Sequence, residues 1–345
     1  MNDKTITEDS VVNDKIRMMI LKPKYILGAI AFISFFSCTE RTLEPRPDVE
    51  PVPIRLYTGI RTRAMVDAFG ETPVGIAYCS RTGAYEGSWE GVATDNEIRL
   101  TPERYYPADG STVYLRGFYP PADLSADGSL TYQLTGEEDL MLTGEQSGSL
   151  AAPFGTSEDQ TLMYRHLMTQ LNFTLTLEAE NPETFRIRSL HLNGLANEVT
   201  LTLATESLTA AGQTASVEIF AVGEEEDGLP FVEGKISLPG YVLVQPSATF
   251  TLDLTLAVDD DRTHDLVYPG LPIRFEGGET GQGGISYTVK VELPTPTSPG
   301  PVKINATATV GEWQEGKPGS GDLVDGDSPQ RTQSFKIKNN LCESE

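Results

Sequence analysis

The feature that most limits the fold of this chain is a two-residue alternation of apolar and polar side chains. In residues 171–177, leucine or phenylalanine occupies every odd position, and asparagine or threonine every even one. Residues 250–258 and 285–293 follow the same period. Because successive side chains of a β-strand point to opposite faces, each segment is predicted to be a strand with one face in a core and one in water.

Shorter segments of the same character extend this prediction over most of the chain. They lie at 54–60, 74–79, 97–101, 112–119, 130–135, 185–192, 198–204, 217–221, 302–310 and 334–338. The 32 glycines and 23 prolines favour frequent turns, and only residues 160–170 approach helical periodicity, as a short helix before a strand. We predict an all-β fold with two consecutive antiparallel β-sandwich domains of the transthyretin-like or Greek-key type.

A polar stretch at 143–149 separates two blocks of predicted strands. We therefore place an N-terminal sandwich at 54–155 and a C-terminal sandwich at 160–315. The remaining segment, 316–345, begins with a linker rich in Gly, Pro and Asp and continues with an isolated predicted strand, formed by Ser334, Phe335, Lys336, Ile337 and Lys338. Such a strand has no sheet of its own, so it must add to an edge in the same molecule or in another one.

The N-terminal region has the layout of an export signal. An apolar run of about 12 residues, 25–36, follows four basic residues and ends just before Cys38. A membrane-spanning helix needs about 20 residues, so the run fits a signal peptide at 1–37, with 1–17 as an upstream extension. Ser37-Cys38 resembles the lipobox of bacterial lipoproteins, which implies lipidation of Cys38, with palmitate among the acyl chains, and a flexible tether at 38–53. The alternative is a secreted protein without a lipid.

The charge of the chain excludes several classes of partner. It contains 26 Lys and Arg against 50 Asp and Glu, a net charge of −24. Beyond residue 37 the counts are 21 and 46, so the exported part carries −25. A nucleic-acid binder needs a basic face, and so does a protein held on anionic lipid by charge alone. We expect no nucleic-acid partner, whereas a lipid anchor remains compatible with this charge.

No motif predicts catalysis, a cofactor or a metal. The chain has only three His and three Cys, and it lacks the nucleophile-elbow, zinc-protease, P-loop and dinucleotide motifs. The acidic runs at 259–265 and 224–228 are interpreted as solvated turns. Cys79 and Cys342 could pair or stay free. Trp89 and Trp313 could pack at sheet edges or stack on a sugar.

Four local motifs, taken together, resemble one known family. They are Thr62-Arg63-Ala64 after the first predicted strand, Val113–Pro121 as an apolar strand with an aromatic-proline corner, Arg165–Phe173 with an HxxxQLxF pattern, and Gly311–Gly316 with a WxxG pattern. In this order, and after a lipobox, they resemble the fimbrillin-like lipoproteins of Bacteroidetes, the subunits of type V pili. The resemblance covers residues 54–316.

The resemblance implies a structural, non-enzymatic role and a mechanism of assembly. An Arg-specific protease would cut after Arg63, or after Arg61 as second choice, and release the first strand at 54–60. A strand of another subunit would fill the groove left behind, and residues 334–338 are the candidate donor. The implied partners are other pilins in a homo- or heteropolymer, the outer membrane through the lipid, and a ligand on a host or bacterial surface. The alternative is an outer-membrane lipoprotein that binds a carbohydrate.

Overall fold

The chain folds almost entirely into β-strands. The computed structural model describes residues 50–61, 66–67, 69–155, 157, 160–276, 280–294 and 304–313. All of them belong to one of the two compact units of the chain, Val49–Glu345. Cys38, Arg63, Cys342, the linker at 316–330 and the predicted strand at 334–338 lie outside the described residues.

The described residues form twenty strands and two short 3₁₀ helices. The strands are β1 (Leu56–Arg61), β2 (Val66–Asp67), β3 (Phe69–Cys79), β4 (Gly87–Asp95), β5 (Glu97–Thr101), β6 (Val113–Tyr119), β7 (Ser129–Gln133), β8 (Met141–Thr143), β9 (Gln146–Gly148), β10 (Leu162–His166), β11 (Thr169–Leu177), β12 (Arg186–Thr202), β13 (Ser207–Ala221), β14 (Leu229–Pro230), β15 (Lys235–Ser237), β16 (Val242–Val244), β17 (Thr251–Ala257), β18 (Leu266–Phe275), β19 (Ser286–Leu293) and β20 (Asn305–Gly311). The 3₁₀ helices are Pro182–Thr184 and Arg262–His264. The all-β prediction is confirmed.

The predicted short helix at 160–170 is wrong. The segment contains β10 and the start of β11, separated by Leu167 and Met168. Apolar residues at 164, 167, 168 and 171 have helical spacing, but the buried residues of β10 alternate, with Leu162, Tyr164 and His166 on the inner side. The short strand period therefore prevails over the apparent helical one.

The first sheet closes on itself. Its strands follow the order β10-β8-β6-β3-β4-β5-β1, and β1 then pairs with β10. This closing pair is parallel and joins Thr58–Ile60 with Leu162–Tyr164. The structure does not confirm the predicted antiparallel sandwich in this region, because β10 arrives in the same direction as β1 and completes a barrel. A parallel neighbour requires a long connection, here the whole of residues 62–161.

The second sheet contains eleven strands in the described part of the chain. Its path is β13-β12-β17-β18-β20-β19-β11-β15, with β7 and β14 added to β12 and β16 added to β11. β18 changes partners along its length, pairing first with β17 and then, at Ile273–Phe275, in parallel with β20. β11 and β19 also run parallel over eight residue pairs. The two sheets interleave in sequence, since β7 joins the second sheet and β10 the first.

A large hydrophobic cluster joins the two sheets. It includes Ala77, Cys79 and Phe118 from the first sheet together with Phe173 and Leu254 from the second. Ile76, the neighbour of Ala77 in β3, belongs instead to the separate cluster inside the barrel. Because neighbouring residues of a strand face opposite ways, β3 contributes one side to each cluster.

A charged contact fastens the tip of the β12–β13 hairpin to the barrel. Glu206, at this tip, lies 2.9 Å from the Arg116 guanidinium and 2.6 Å from that of Arg165. Arg116 is buried and also donates to the Leu203 carbonyl at 2.6 Å. Burial alone would raise the pKa of Glu206, but the Arg165 hydrogen bond and the Arg116 charge outweigh it and lower the pKa. The hairpin is therefore anchored at β6 and β10.

Inside the barrel, Tyr164 of β10 fills the space beside a glycine of β6. Tyr164 is completely buried and meets the Phe69 ring edge-on, with the centroids 5.0 Å apart. A methyl group at Gly117 would overlap the Tyr164 hydroxyl and touch Thr143. Gly117 thus leaves the room that the tyrosine ring needs.

We expect Gly117→Ala to lower the free energy of unfolding by about 1–3 kcal/mol, because it overfills the barrel core. Chemical denaturation monitored by circular dichroism measures the change. Gly144→Ala is the matched control, since a methyl group there meets nothing within 4 Å. Equal effects of the two substitutions would contradict the assignment of Gly117 as a packing constraint.

Candidate functional site

The first strand lies between two different neighbours. Its N-terminal half runs antiparallel to β5 and to the residues that follow β5, with Leu56 opposite Ile98. Two backbone hydrogen bonds support this side: Ile54 N donates to Arg104 O at 2.7 Å, and Thr58 N donates to Asn96 O at 2.9 Å. The paired segment spans residues 52 to 58, so it includes the four residues that precede β1.

The C-terminal half of β1 pairs with a different strand, β10. It pairs with β10 over the three positions Thr58 to Ile60. The ladders with β5 and β10 therefore barely overlap, and Thr58 is where they meet. Ile60 and Arg61 also pair with Asp67 and Val66 of β2, so three short ladders hold β1 and none of them covers its whole length.

The inner face of β1 and of the residues just before it presents apolar side chains around one hydroxyl. Ile54, Leu56 and Thr58 are only 5, 2 and 4 % exposed, and Ile60 packs against the same barrel cluster. The Thr58 hydroxyl donates to the Leu162 carbonyl at 3.1 Å. Without β1, the remaining cluster would lose this cover, and β5 and β10 would keep unpaired backbone groups.

The surface on the outer side of β1 is charged, mainly through residues of β5 and the segment before β1. A groove of about 630 Å³ runs along the strand, and its walls include the exposed side chains of Arg55, Glu97, Arg99 and Glu103. Tyr57, half-buried, has Glu97 as its direct partner on β5. The two faces of the strand thus differ sharply in polarity.

The structure places one of the two predicted cleavage positions. Arg61 is the last residue of β1 and pairs with Val66 of β2. Arg63 belongs to the four-residue connection 62–65, outside the described residues, as do Cys38 and the candidate donor residues. The structure therefore contains the predicted first strand and the first of the two arginines, Arg61. The predicted cleavage itself stays a prediction.

The acidic run at 259–265 forms the loop between β17 and β18, as the sequence predicts. His264 Nδ1 lies 2.9 Å from Asp259, and the Asp261 side chain accepts a hydrogen bond from Thr263 N. Within the described ranges, no group of three His, Cys, Asp or Glu side chains could hold a metal ion.

A buried arginine connects this loop with the turn at 224–228. Arg188 is 5 % exposed and lies 3.0 Å from the Asp265 carboxylate. It also donates to the backbone carbonyls of Glu226 and Asp259, each at 3.1 Å. Both acidic runs thus serve to hold neighbouring loops together around one cation.

Both tryptophans stack on protein side chains. Tyr78 stacks on Trp89 with the ring centroids 4.7 Å apart, and the Arg104 guanidinium lies 5.5 Å from the indole centre. Trp313 stacks on His166 with the centroids 4.1 Å apart. The sequence separates His166 and Trp313 widely, so no local signal could predict their contact.

His166 and Cys79 both lie in the interior of the protein. His166 is buried and contacts Asp139 through Nδ1 at 2.7 Å. Cys79 is a buried free cysteine, and burial raises the pKa of its thiol. In the described part of the chain there is no helix long and apolar enough to cross a membrane.

We expect Asp259→Asn to lower the pKa of His264 towards its ordinary value of about 6.5. The hydrogen bond and charge of Asp259, with the charge of Asp261, raise this pKa. Folding therefore favours the protonated ring, so this weak surface stabilisation is present at acidic pH and is lost as the pH rises through the folded-state pKa. An NMR titration of the imidazole measures the change.

Asp260→Asn serves as the control for this titration, because it removes a neighbouring charge and keeps the Asp259 hydrogen bond. An equal change of the His264 pKa in both variants would contradict the specific role of Asp259.

Comparisons with known proteins agree with the β-rich architecture. No curated protein matches the chain. Among solved structures, a candidate cell adhesion protein of Bacteroides uniformis is 15 % identical, with a TM-score of 0.50 over 76 % of this chain and 99 % of that one. The likeness shows a shared fold.

Two further solved structures are similar over comparable lengths. A fimbrial protein of Bacteroides vulgatus is 10 % identical, with a TM-score of 0.47 over 75 % of this chain and 99 % of that one. The tip fimbrial protein Mfa3 of Porphyromonas gingivalis, with a C-terminal truncation, is 11 % identical, with a TM-score of 0.42 over 76 % of this chain and all of that one.

The sequence profile of one family matches most of the chain. The profile is described as fimbrillin-like, and it covers residues 62–313. This range begins directly after β1 and ends at Trp313, so it includes all described strands but the first. The chain therefore belongs to the fimbrillin-like family.

Proposed function

We propose that this protein is a structural subunit of a cell-surface pilus that assembles by strand exchange. The observation that carries the proposal is β1: it closes an apolar barrel through short ladders only, Arg61 is its last residue, and Arg63 follows in the connection to β2. Membership of the fimbrillin-like family supports a pilin with other pilins as partners and a non-enzymatic role. The proposal covers a subunit of the stalk, the tip or the anchor.

Loss of β1 would leave the barrel in an unfavourable state that a replacement strand could stabilise. The inner positions of Ile54, Leu56 and Ile60 would leave an apolar groove, and the edges of β5 and β10 would lose their hydrogen-bond partners. Exposed apolar surface and unpaired backbone groups are both unfavourable in water. An added strand corrects both, since its backbone completes the ladders while alternate side chains fill the groove.

The proposal assigns roles to the two ends of the chain. Cys38, lipidated, anchors the precursor to the outer membrane, and residues 38–53 link the lipid to the barrel. Cleavage after Arg63, or after Arg61, frees the folded part from its anchor and opens the groove. Residues 334–338 supply the donor strand, with the linker at 316–330 giving it reach. A subunit that is not cleaved stays attached as an anchor.

The carbohydrate-binding alternative has no comparable support. Trp89 and Trp313, the candidate sugar platforms, already stack on Tyr78 and His166. A glycan could use only the parts of each indole that these contacts leave open. We therefore keep the pilus subunit as the proposed function.

We expect the mature chain to form SDS-resistant ladders on unheated gels after treatment with an Arg-specific protease. The double variant Arg61→Ala/Arg63→Ala should remain a monomer, because its first strand is retained. N-terminal sequencing of the wild-type polymer should give Ala64, or Thr62 if the second position is used.

Arg81→Ala is the matched control, since Arg81 is an exposed arginine in a turn outside the β1 region. It should form ladders like the wild type. The proposal fails if the wild-type chain loses its first strand and stays monomeric, or if the double variant forms the same ladders.

A further inference from the structure

One long strand at the end of the second sheet has a free edge in the described part of the chain. β13 stands first in the path of that sheet and pairs on one side only, with β12. It is 15 residues long, and none of its side chains is buried. The N–H and C=O groups of its other edge therefore face outwards, where a further strand can add to them.

The other described strands at the ends and branches of this sheet are short. β7 has five residues, β15 and β16 have three each, and β14 has two. The first sheet closes into a barrel, which also removes edges. Short edge strands and closure both limit pairing between molecules, so β13 differs from the other described strands in lacking either protection.

The sequence of β13 is almost without charge. Residues 207–217 contain no Asp, Glu, Lys or Arg, and Glu218 is the only charged residue of the strand. The strand contains no proline either, although charge and proline are the usual residues that block an edge. Because the chain as a whole has a net charge of −24, two copies can approach at this edge with little of the repulsion that acts elsewhere.

The first five residues of β13 form the regular part of this edge. Residues 207–211 pair with residues 202–198 of β12 at five consecutive positions, without a shift of register. The ladder then skips Gly212 and Gln213, and Gly212 has a φ of 75°. Such an irregularity bends a strand away from a neighbour, so the straight segment available for pairing is 207–211.

We propose that two copies of this chain pair through residues 207–211 of β13, antiparallel and related by a twofold axis at Thr209. Thr209 then lies opposite its own counterpart, Leu208 opposite Ala210, and Ser207 opposite Ala211. A twofold axis makes the two halves of the contact identical and closes the assembly at two copies. The inference does not depend on strand exchange, because β13 belongs to the second sheet and takes no part in the cleavage.

The side chains at these positions suit pairing with themselves. Two threonines at directly opposed positions stabilise adjacent strands, and no like charges face each other. Leu208 is half-buried against the large hydrophobic cluster, and Ala210 of the other copy would cover part of its exposed side. The added strand therefore satisfies the free backbone groups of β13 and buries apolar surface at the rim of the core.

The size of the contact predicts a weak dimer. A stable interface buries at least about 1,200 Å², and five paired residues on each copy fall short of that area. We therefore expect the dimer at high protein concentration. Salt should strengthen it, because ions screen the repulsion between two chains of net charge −24.

Disulfide trapping tests the twofold axis. Thr209→Cys is introduced into the uncleaved mature chain with Cys38 and Cys342 replaced by serine, while the remaining Cys79 is buried. Directly opposed residues lie within disulfide distance, so oxidation should give a covalent dimer that reducing agent separates. Thr214→Cys, also exposed on β13, is the matched control. Its two copies would lie about 30 Å apart and should give little dimer.

Sedimentation velocity of a second pair of variants measures the contact without a cross-link. Thr209→Lys places two lysines opposite each other and should weaken association about five- to tenfold. Added salt should restore part of this loss by screening, whereas damage to the fold would not respond in this way. Thr214→Lys should have a smaller effect, and circular dichroism of both variants checks that they fold.

Each outcome decides for or against the inference. A covalent dimer specific to Thr209→Cys, together with weaker association of Thr209→Lys, supports it. Equal trapping at residues 209 and 214 indicates chance collisions and overturns the axis. A dimer that Thr209→Lys leaves unchanged overturns β13 as the contact. A wild-type chain that stays monomeric at high concentration and high salt, with no trapped dimer, overturns the assignment to a second copy.

Discussion

The parallel pairing of β1 with β10 is the interaction on which the first sheet depends. It joins only three residue pairs, yet it converts an open sheet into a closed barrel. Closure buries Leu56 and Tyr164 in one cluster and removes two exposed edges. Because β10 also pairs with β8 and is followed directly by β11 of the second sheet, the same short strand connects the barrel with the rest of the molecule.

Alternation in the sequence locates strands well but does not identify their partners. The segments at 171–177, 250–258 and 285–293 correspond to β11, β17 and β19 within two residues at each end. The period of two is the same in parallel and antiparallel strands. The alternation therefore could not show that β1 pairs in parallel with β10, or β11 with β19. For the same reason the sequence could not show that β7 joins the second sheet.

The candidate site was predictable where the signal is local. The first strand and the arginines after it are adjacent in sequence, so their order is visible without a structure. The neighbours of β1 come from residues 96–105 and 162–164, and only the fold brings them together. The Glu206 contact with Arg116 and the stacking of Trp313 on His166 likewise join residues far apart in sequence.

The chain has far fewer basic than acidic side chains, and two of the basic ones, both buried arginines, hold loops in place. Arg116 fixes the tip of the β12–β13 hairpin, and Arg188 fixes the two acidic loops at 224–228 and 259–265. Removal of one partner from a buried pair leaves an uncompensated charge, so these contacts define loop positions strictly. The net charge of −24 favours electrostatic repulsion between separate copies.

In the proposed mechanism, cleavage changes the competition for the groove rather than its affinity. While β1 remains joined to β2 through residues 62–65, its effective concentration at the groove is very high, and a strand from another molecule cannot displace it. After a cut in this connection, β1 is held by its short ladders with β5, β10 and β2 and by the burial of Ile54, Leu56 and Ile60. A donor of equal fit then competes on nearly equal terms. A split ladder therefore suits a strand that must close the barrel before cleavage and leave it afterwards.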